Sequence, residues 1–151
     1  MREALREAER GIRSHEGGPF GACVVKRGHI VAVAHNLVLK THNPTQHAEV
    51  VAIGLASKRL GTYLLEGCDI YSTTEPCPMC FSAVHWARMR RVYFGTGVPD
   101  VKRLGFNELT ISNLTLKRLG KSPLEVHAGV CREECMQLLV DWKNLPGQQT
   151  Y

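Results

Sequence analysis

A strand, a helix and a second strand follow one another almost without spacer between Cys68 and Gly97, and this alternation narrows the possible folds more than any other feature. CDIYSTTE at 68–75 reads as a short strand. PCPMCFSAVHWARM at 76–89 opens with proline, whose missing donor costs nothing at a helix N-terminus. RVYFGTG at 91–97 is the next strand. A strand–helix–strand connection in one sheet brings the second strand back parallel to the first, with the helix on a sheet face.

The rest of the chain extends this unit. Residues 2–14 place Ala4, Leu5, Ala8 and Ile12 on one face with Glu and Arg opposite, the stripe of an amphipathic helix, and Gly17-Gly18-Pro19 ends it. GACVVKRGHIVAVAHN at 21–36 reads as two β-branched runs joined across Arg27-Gly28, an antiparallel hairpin. LKTHNPTQ at 39–46 reads as a polar loop, and HAEVVAIGLASKRLG at 47–61 as a helix ended by glycine. Residues 98–122, interrupted by Gly105, Asn107, Asn113 and Gly120, suggest a short helix plus a long surface loop. LEVHAGV at 124–130 predicts the last strand, before a helix from about 131 to 144. The order implies an α/β fold: a three-layer α/β/α sandwich with a five-stranded mixed sheet, its first hairpin antiparallel and its later strands parallel, in a single domain of 1–151.

Composition sets the setting. No stretch reaches the length of a membrane span, and MREALREAER lacks the apolar core of a signal peptide, so a soluble cytoplasmic protein is expected. The six cysteines make a poor disulfide framework in such a chain: Cys77 and Cys80 suit a metal, and Cys131 and Cys135 fall one turn apart in an amphipathic helix as buried or half-buried thiols. The net charge of +5 permits an anionic partner such as RNA, but the basic residues scatter, and only 88–91 is dense.

Two short motifs carry the chemistry. His47-Ala48-Glu49 and Pro76-Cys77-Pro78-Met79-Cys80 supply three zinc ligands and one carboxylate from the starts of two predicted helices. Zinc prefers nitrogen and thiolate donors, and three protein ligands (His47, Cys77, Cys80) leave the fourth position of a catalytic site. Both cysteines fall in the first turn of one helix, where dipole and metal favour the thiolate. Glu49, two residues past His47, is placed as the general acid/base. A redox Cys-x-x-Cys explains neither His47-x-Glu49 nor the proline before Cys77, and a structural zinc knuckle wants a second close pair that His42, His85 and Cys68 do not supply.

His-x-Glu with Pro-Cys-x-x-Cys is the signature of zinc nucleobase deaminases. GGPFGA at 17–22, NPTQHAEV at 43–50 and YSTTEPCPMCFSAVHWAR at 71–88 resemble the cytidine deaminase superfamily, in particular its guanine deaminase and tRNA adenosine deaminase branch. Phe20 in GGPFGA, Trp86, the Gly105-Phe106-Asn107-Glu108 segment and Tyr151 look like the small bacterial guanine deaminases; the tRNA-acting relatives carry a valine-proline-valine-glycine type of segment where this chain has Gly18-Pro19-Phe20-Gly21. The resemblance implies one zinc ion per subunit and hydrolysis of guanine to xanthine and ammonia. Under it Asn36 bonds the purine, Glu108 accepts from the guanine N1 and amino edge, and backbone around Ala48 and Cys77 orients the base. Phe20 and Trp86, an aromatic pair flanking the zinc motifs, read as the two sides of a sandwich around a flat base. The resembling enzymes carry aspartate where Glu108 stands. The resemblance further implies a homodimer in which the tail after about Leu145, ending in Tyr151, covers the partner's pocket. Alternatives are a deaminase of cytosine, guanosine or cytidine, or one forming inosine in tRNA. Against the last stands the C-terminal helix, whose charge is nearly balanced where those relatives carry a basic one, so a small nucleobase is the expected partner, with tRNA kept as the alternative and no membrane.

Overall fold

In the computed structural model, which describes residues 1–151, Arg27 and Gly28 both adopt positive φ (50° and 80°). Two successive left-handed residues form the tight turn whose twist matches paired strands, and it joins β1 (Gly21–Lys26) to β2 (His29–His35) in an antiparallel hairpin closed by Lys26 opposite His29. β1 also pairs antiparallel with β3 (Cys68–Thr74), whereas β3–β4 (Arg91–Thr96) and β4–β5 (Glu125–His127) are parallel. The five-stranded sheet has the order β2-β1-β3-β4-β5. It is the mixed sheet that the strand pattern predicts.

Two cores line the two faces of the sheet. α3 (Ala48–Leu60) and α4 (Pro78–Trp86) cover one, where Ala48, Ala52 and Ala56 meet Ala22, Val24 and Ile70, and Phe81 and Val84 meet Val92 and Phe94. Alanines at one-turn intervals let α3 lie close on the strands. α1 (Arg2–Arg13) and α7 (Arg132–Lys143) cover the other through Leu5, Ala8, Ile12, Leu138, Leu139 and Trp142. No helix is long and apolar enough to cross a membrane.

The structure corrects the sequence reading at four places. The polar loop after β2 contains a short helix, α2 (Val38–Thr41). The helix expected from Pro76 begins at Pro78, with Cys77 as its N-cap. The region 98–122 holds two helices, α5 (Val98–Lys102) and α6 (Asn113–Gly120), because Ser112 caps the second by accepting from Thr115 N–H. The last strand keeps only Glu125–His127. The cysteine reading holds: all six thiols are free, with Cys135 buried and Cys131 half-buried at the N-cap of α7.

Asp100 ties α5 to α7. Its carboxylate accepts from Gly97 N–H (2.9 Å) and from both Arg132 guanidinium nitrogens (2.9 and 3.2 Å), and pairs with Arg103. Burial by itself would push this carboxyl up, but Arg132, the Gly97 amide and Arg103 together hold it below the usual aspartate range. A lowered folded-state pKa contributes stability that is present above the unfolded value, roughly 3.9, and is lost as pH falls through the folded value. Asp100→Asn is therefore expected to lower the urea midpoint at pH 7, with the gap to wild type closing as the pH is taken below that window.

Candidate active site

Two helices begin at the carboxyl end of β3, and each begins with a metal-ligand side chain. His47 is the N-cap of α3 and Cys77 that of α4, both with extended backbone (ψ 152° and 167°), and neither side chain caps its own helix. The two turn toward each other: Cys77 Sγ lies 3.6 Å from His47 Nδ1. With Cys80, buried in the first turn of α4, their donor atoms all lie within 4.8 Å of one another. One imidazole and two thiols at this spacing fit zinc, whose bonds of about 2.0 Å to nitrogen and 2.3 Å to sulfur hold tetrahedral ligands at such separations. The cluster has three members, the protein ligand number of a catalytic zinc site.

The cluster is polarised. Cys77 is held down to about 4 by a hydrogen bond from the Cys80 thiol, helped against burial by His47 and the Cys80 amide. Cys80, the donor of that pair, is pushed well up. Burial would lower His47, but Cys77 and Glu49 raise it. Glu49, in the first turn of α3 and buried, faces the sheet, where the Ser72 hydroxyl donates to its Oε1 at 3.0 Å. Burial pushes its carboxyl up, with His47 opposing. A carboxyl desolvated in this way holds its proton more readily than an exposed one, which suits a general acid/base.

Beside His47 and Cys77 opens a cavity of about 260 Å³, walled by Phe20, Phe106, Glu108 and Tyr151. Phe106 meets Phe20 edge-on (centroids 5.0 Å) and Tyr151 likewise (5.4 Å). The tail is fixed by its last residue: Gly18 N–H donates to the Tyr151 hydroxyl (3.1 Å) and Asn107 N–H to its carbonyl (3.2 Å). Glu108 is pushed up first by burial and then by the Cys77 charge. The paired glycines are required by close approach: a Cβ on Gly17 would lie 2.3 Å from Asn36 Oδ1, and one on Gly18 2.9 Å from the Tyr151 hydroxyl. Asn36 is fully buried; its Oδ1 accepts from Val38 N–H (3.1 Å), and its Nδ2 has no partner.

The sequence of residues 1–96 matches the profile of the cytidine and deoxycytidylate deaminase zinc-binding region. The chain belongs to that deaminase family. The deaminase is 35% identical to the guanine deaminase of Bacillus subtilis (strain 168) over 151 residues, 100% of this chain and 96% of that one. It is 40% identical to the tRNA-specific adenosine deaminase of the same organism over 139 residues, 92% of this chain and 83% of the relative. Its fold matches the guanine deaminase from Nitrosomonas europaea with a TM-score of 0.85 at 29% identity, covering 94% of this chain and 81% of that one.

The structure brings His47, Glu49, Cys77, Cys80, Phe20, Glu108 and Tyr151 of the deaminase together, with Asn36 behind the glycine pair and Ala48 as buried backbone at the start of α3. Trp86 it does not. At the far end of α4, 79% exposed, Trp86 lines a separate groove with Tyr63. Sequence reasoning missed Phe106 as pocket wall and Ser72 as partner of Glu49. Ser72 had a signal, since strand parity puts it on the same sheet face as Ile70, under α3. His47→Ala and Cys80→Ala are each expected to reduce zinc in the purified deaminase, measured by inductively coupled plasma mass spectrometry, from stoichiometric to near zero, while Trp86→Ala leaves it unchanged.

Proposed function

We propose that this deaminase hydrolyses guanine to xanthine and ammonia. The observation that supports this most is a pocket of single-base size that sets an acceptor carboxylate, Glu108, beside the cysteine cluster, while Asn36, packed against Gly17, keeps an unpartnered buried donor, Nδ2. The volume of about 260 Å³ lies below the roughly 300–1,000 Å³ of drug-sized ligand sites. It has the size for a single base. Ionised Glu108 accepts from the N1–H and amino edge of guanine, and Asn36 donates to a purine acceptor. Adenine, with an unprotonated N1, would leave Glu108 facing a lone pair. Phe20 and Phe106 flank the flat ring.

His47, Cys77 and Cys80 would hold zinc, which would supply Lewis acidity and bring the pKa of water to about 7. Glu49 takes a proton as the water oxygen attacks C2 of guanine and gives it to the adjacent ring nitrogen. It then carries the second water proton to the departing amine, so that water and guanine become xanthine and ammonia. The Ser72 hydroxyl, donating to Glu49 Oε1, holds one oxygen of this carboxylate in place.

The relative that acts on tRNA makes adenosine-to-inosine editing the competing reading. The dense basic run 88–91 does not favour it. Arg91 starts β4, at the end of the sheet opposite the site, and Arg90 and Arg91 pair with Asp69 while Arg88 pairs with Glu66. We further propose that the deaminase works as a homodimer: Tyr63 and Trp86, 77% and 79% exposed, offer an apolar patch, and the contacts Tyr151 makes with Gly18 and Asn107 are ones a neighbour's tail can equally supply.

Ammonia release from guanine, cytosine, guanosine, cytidine and adenine is expected for guanine alone; turnover of another compound, or of tRNA only, overturns the substrate reading. Glu49→Ala is expected to cut turnover by about 10²–10⁴-fold with zinc retained. If tails exchange, mixing Glu49→Ala with a chain lacking residues 146–151 restores activity that neither has alone. Absence of that rescue, with each partner folded, rejects exchange.

A further inference from the structure

Phe106 and Glu108 ride on residues 103–112, a stretch without helix or strand, yet the pocket requires them held in place. The two ends of this loop are α5 before it and α6 after it. The first backbone amide of each helix bonds to one and the same carboxylate. Glu75 Oε2 accepts from Val98 N–H at 3.4 Å, and Glu75 Oε1 accepts from Asn113 N–H at 2.8 Å. Both are orphan donors at positive helix ends, where a carboxylate is favoured.

Glu75 is itself fixed. It follows directly on β3, two residues before Cys77, and its own N–H donates to the Thr96 carbonyl at 2.8 Å. Asn113 completes a ring of contacts: fully buried, it donates from Nδ2 to the Pro76 carbonyl at 2.6 Å. Its Oδ1 is left buried without a partner. Burying an unsatisfied carbonyl is costly, so the bond to Pro76 is retained against a penalty.

We infer that Glu75, assisted by Asn113, is the positioning residue that fixes the substrate-recognition loop 103–112 against the zinc ligands. One side chain thereby sets both where Glu108 stands and how the Pro76-Cys77 segment enters α4. The inference rests on the reading of Glu108 as a substrate contact. A glutamine at this place offers a single carbonyl acceptor and turns its NH₂ toward the other helix amide, so one end of the loop is released.

The test compares wild type with Glu75→Gln and Asn113→Ala, full length and zinc-loaded, by zinc content, amide hydrogen exchange across 103–112, and kcat and KM for whichever amino-substituted base the wild type deaminates. For Glu75→Gln the expected result is exchange in the loop faster by about tenfold and KM raised by about tenfold with a smaller change in kcat, zinc remaining stoichiometric. Asn113→Ala, which leaves both bonds to Glu75 in place, is expected to show a smaller change of the same kind, and it carries the test if Glu75→Gln does not fold. Loop exchange at the wild-type rate, or an exchange increase spread evenly over the whole chain, overturns the assignment. Wild-type turnover of a substrate other than guanine defeats the substrate reading while the loop exchange still reports on Glu75, so the two failures separate.

Discussion

The N-termini of α3 and α4 meet at the end of β3 because each helix is pressed onto the same sheet face, α3 through its alanine stripe and α4 through Phe81 and Val84. Their first residues come close enough to share a ligand, the donor atoms of His47, Cys77 and Cys80 lying within 4.8 Å of one another. Larger residues at Ala48 or Ala52 would lift α3 off the strands and part the ligands. The chemistry of the site follows from this meeting point: the neighbouring Cys80 and His47 hold Cys77 down, and burial between α3 and the sheet pushes Glu49 up.

Around that rigid centre the recognition surface is built from irregular chain. Phe106 joins the two: it packs on Trp142 of α7 (centroids 5.1 Å) on one side and on Phe20 and Tyr151 at the pocket on the other. The second core therefore has a direct hold on the pocket wall. Asp100, bonded to Arg132, anchors the α5 end of the same loop to α7.

This division accounts for the similarity of one chain to enzymes named for guanine and for tRNA adenosine. A metal site mounted on helix ends over a sheet is one unit. Phe106 and Glu108, which wall the pocket, stand on a loop, where substitution costs the scaffold little. Membership of the deaminase family thus fixes the reaction type more tightly than the substrate.

His47, Cys77 and Cys80 were legible in the sequence as a metal-ligand set, gathered by the structure in one cluster, because zinc favours those residue types and helix starts have local signals, proline among them. The hairpin was legible for the same kind of reason, since Arg27-Gly28 supplies the backbone angles its turn requires. Trp86 does not line the pocket of its own chain, because six residues along a helix from Cys80 carry a side chain about 9 Å up the axis and away from the first turn's direction. Glu75 and Asn113, 38 residues apart, gave no local signal at all. What the sequence by itself determined was the metal chemistry and the strand–helix order, which rest on residue type and short-range periodicity. Only the tertiary structure decided that Phe106 walls the pocket beside Glu108 and that Glu75 bonds to both ends of their loop, because those contacts join residues whose separation along the chain leaves no periodic or stereochemical trace.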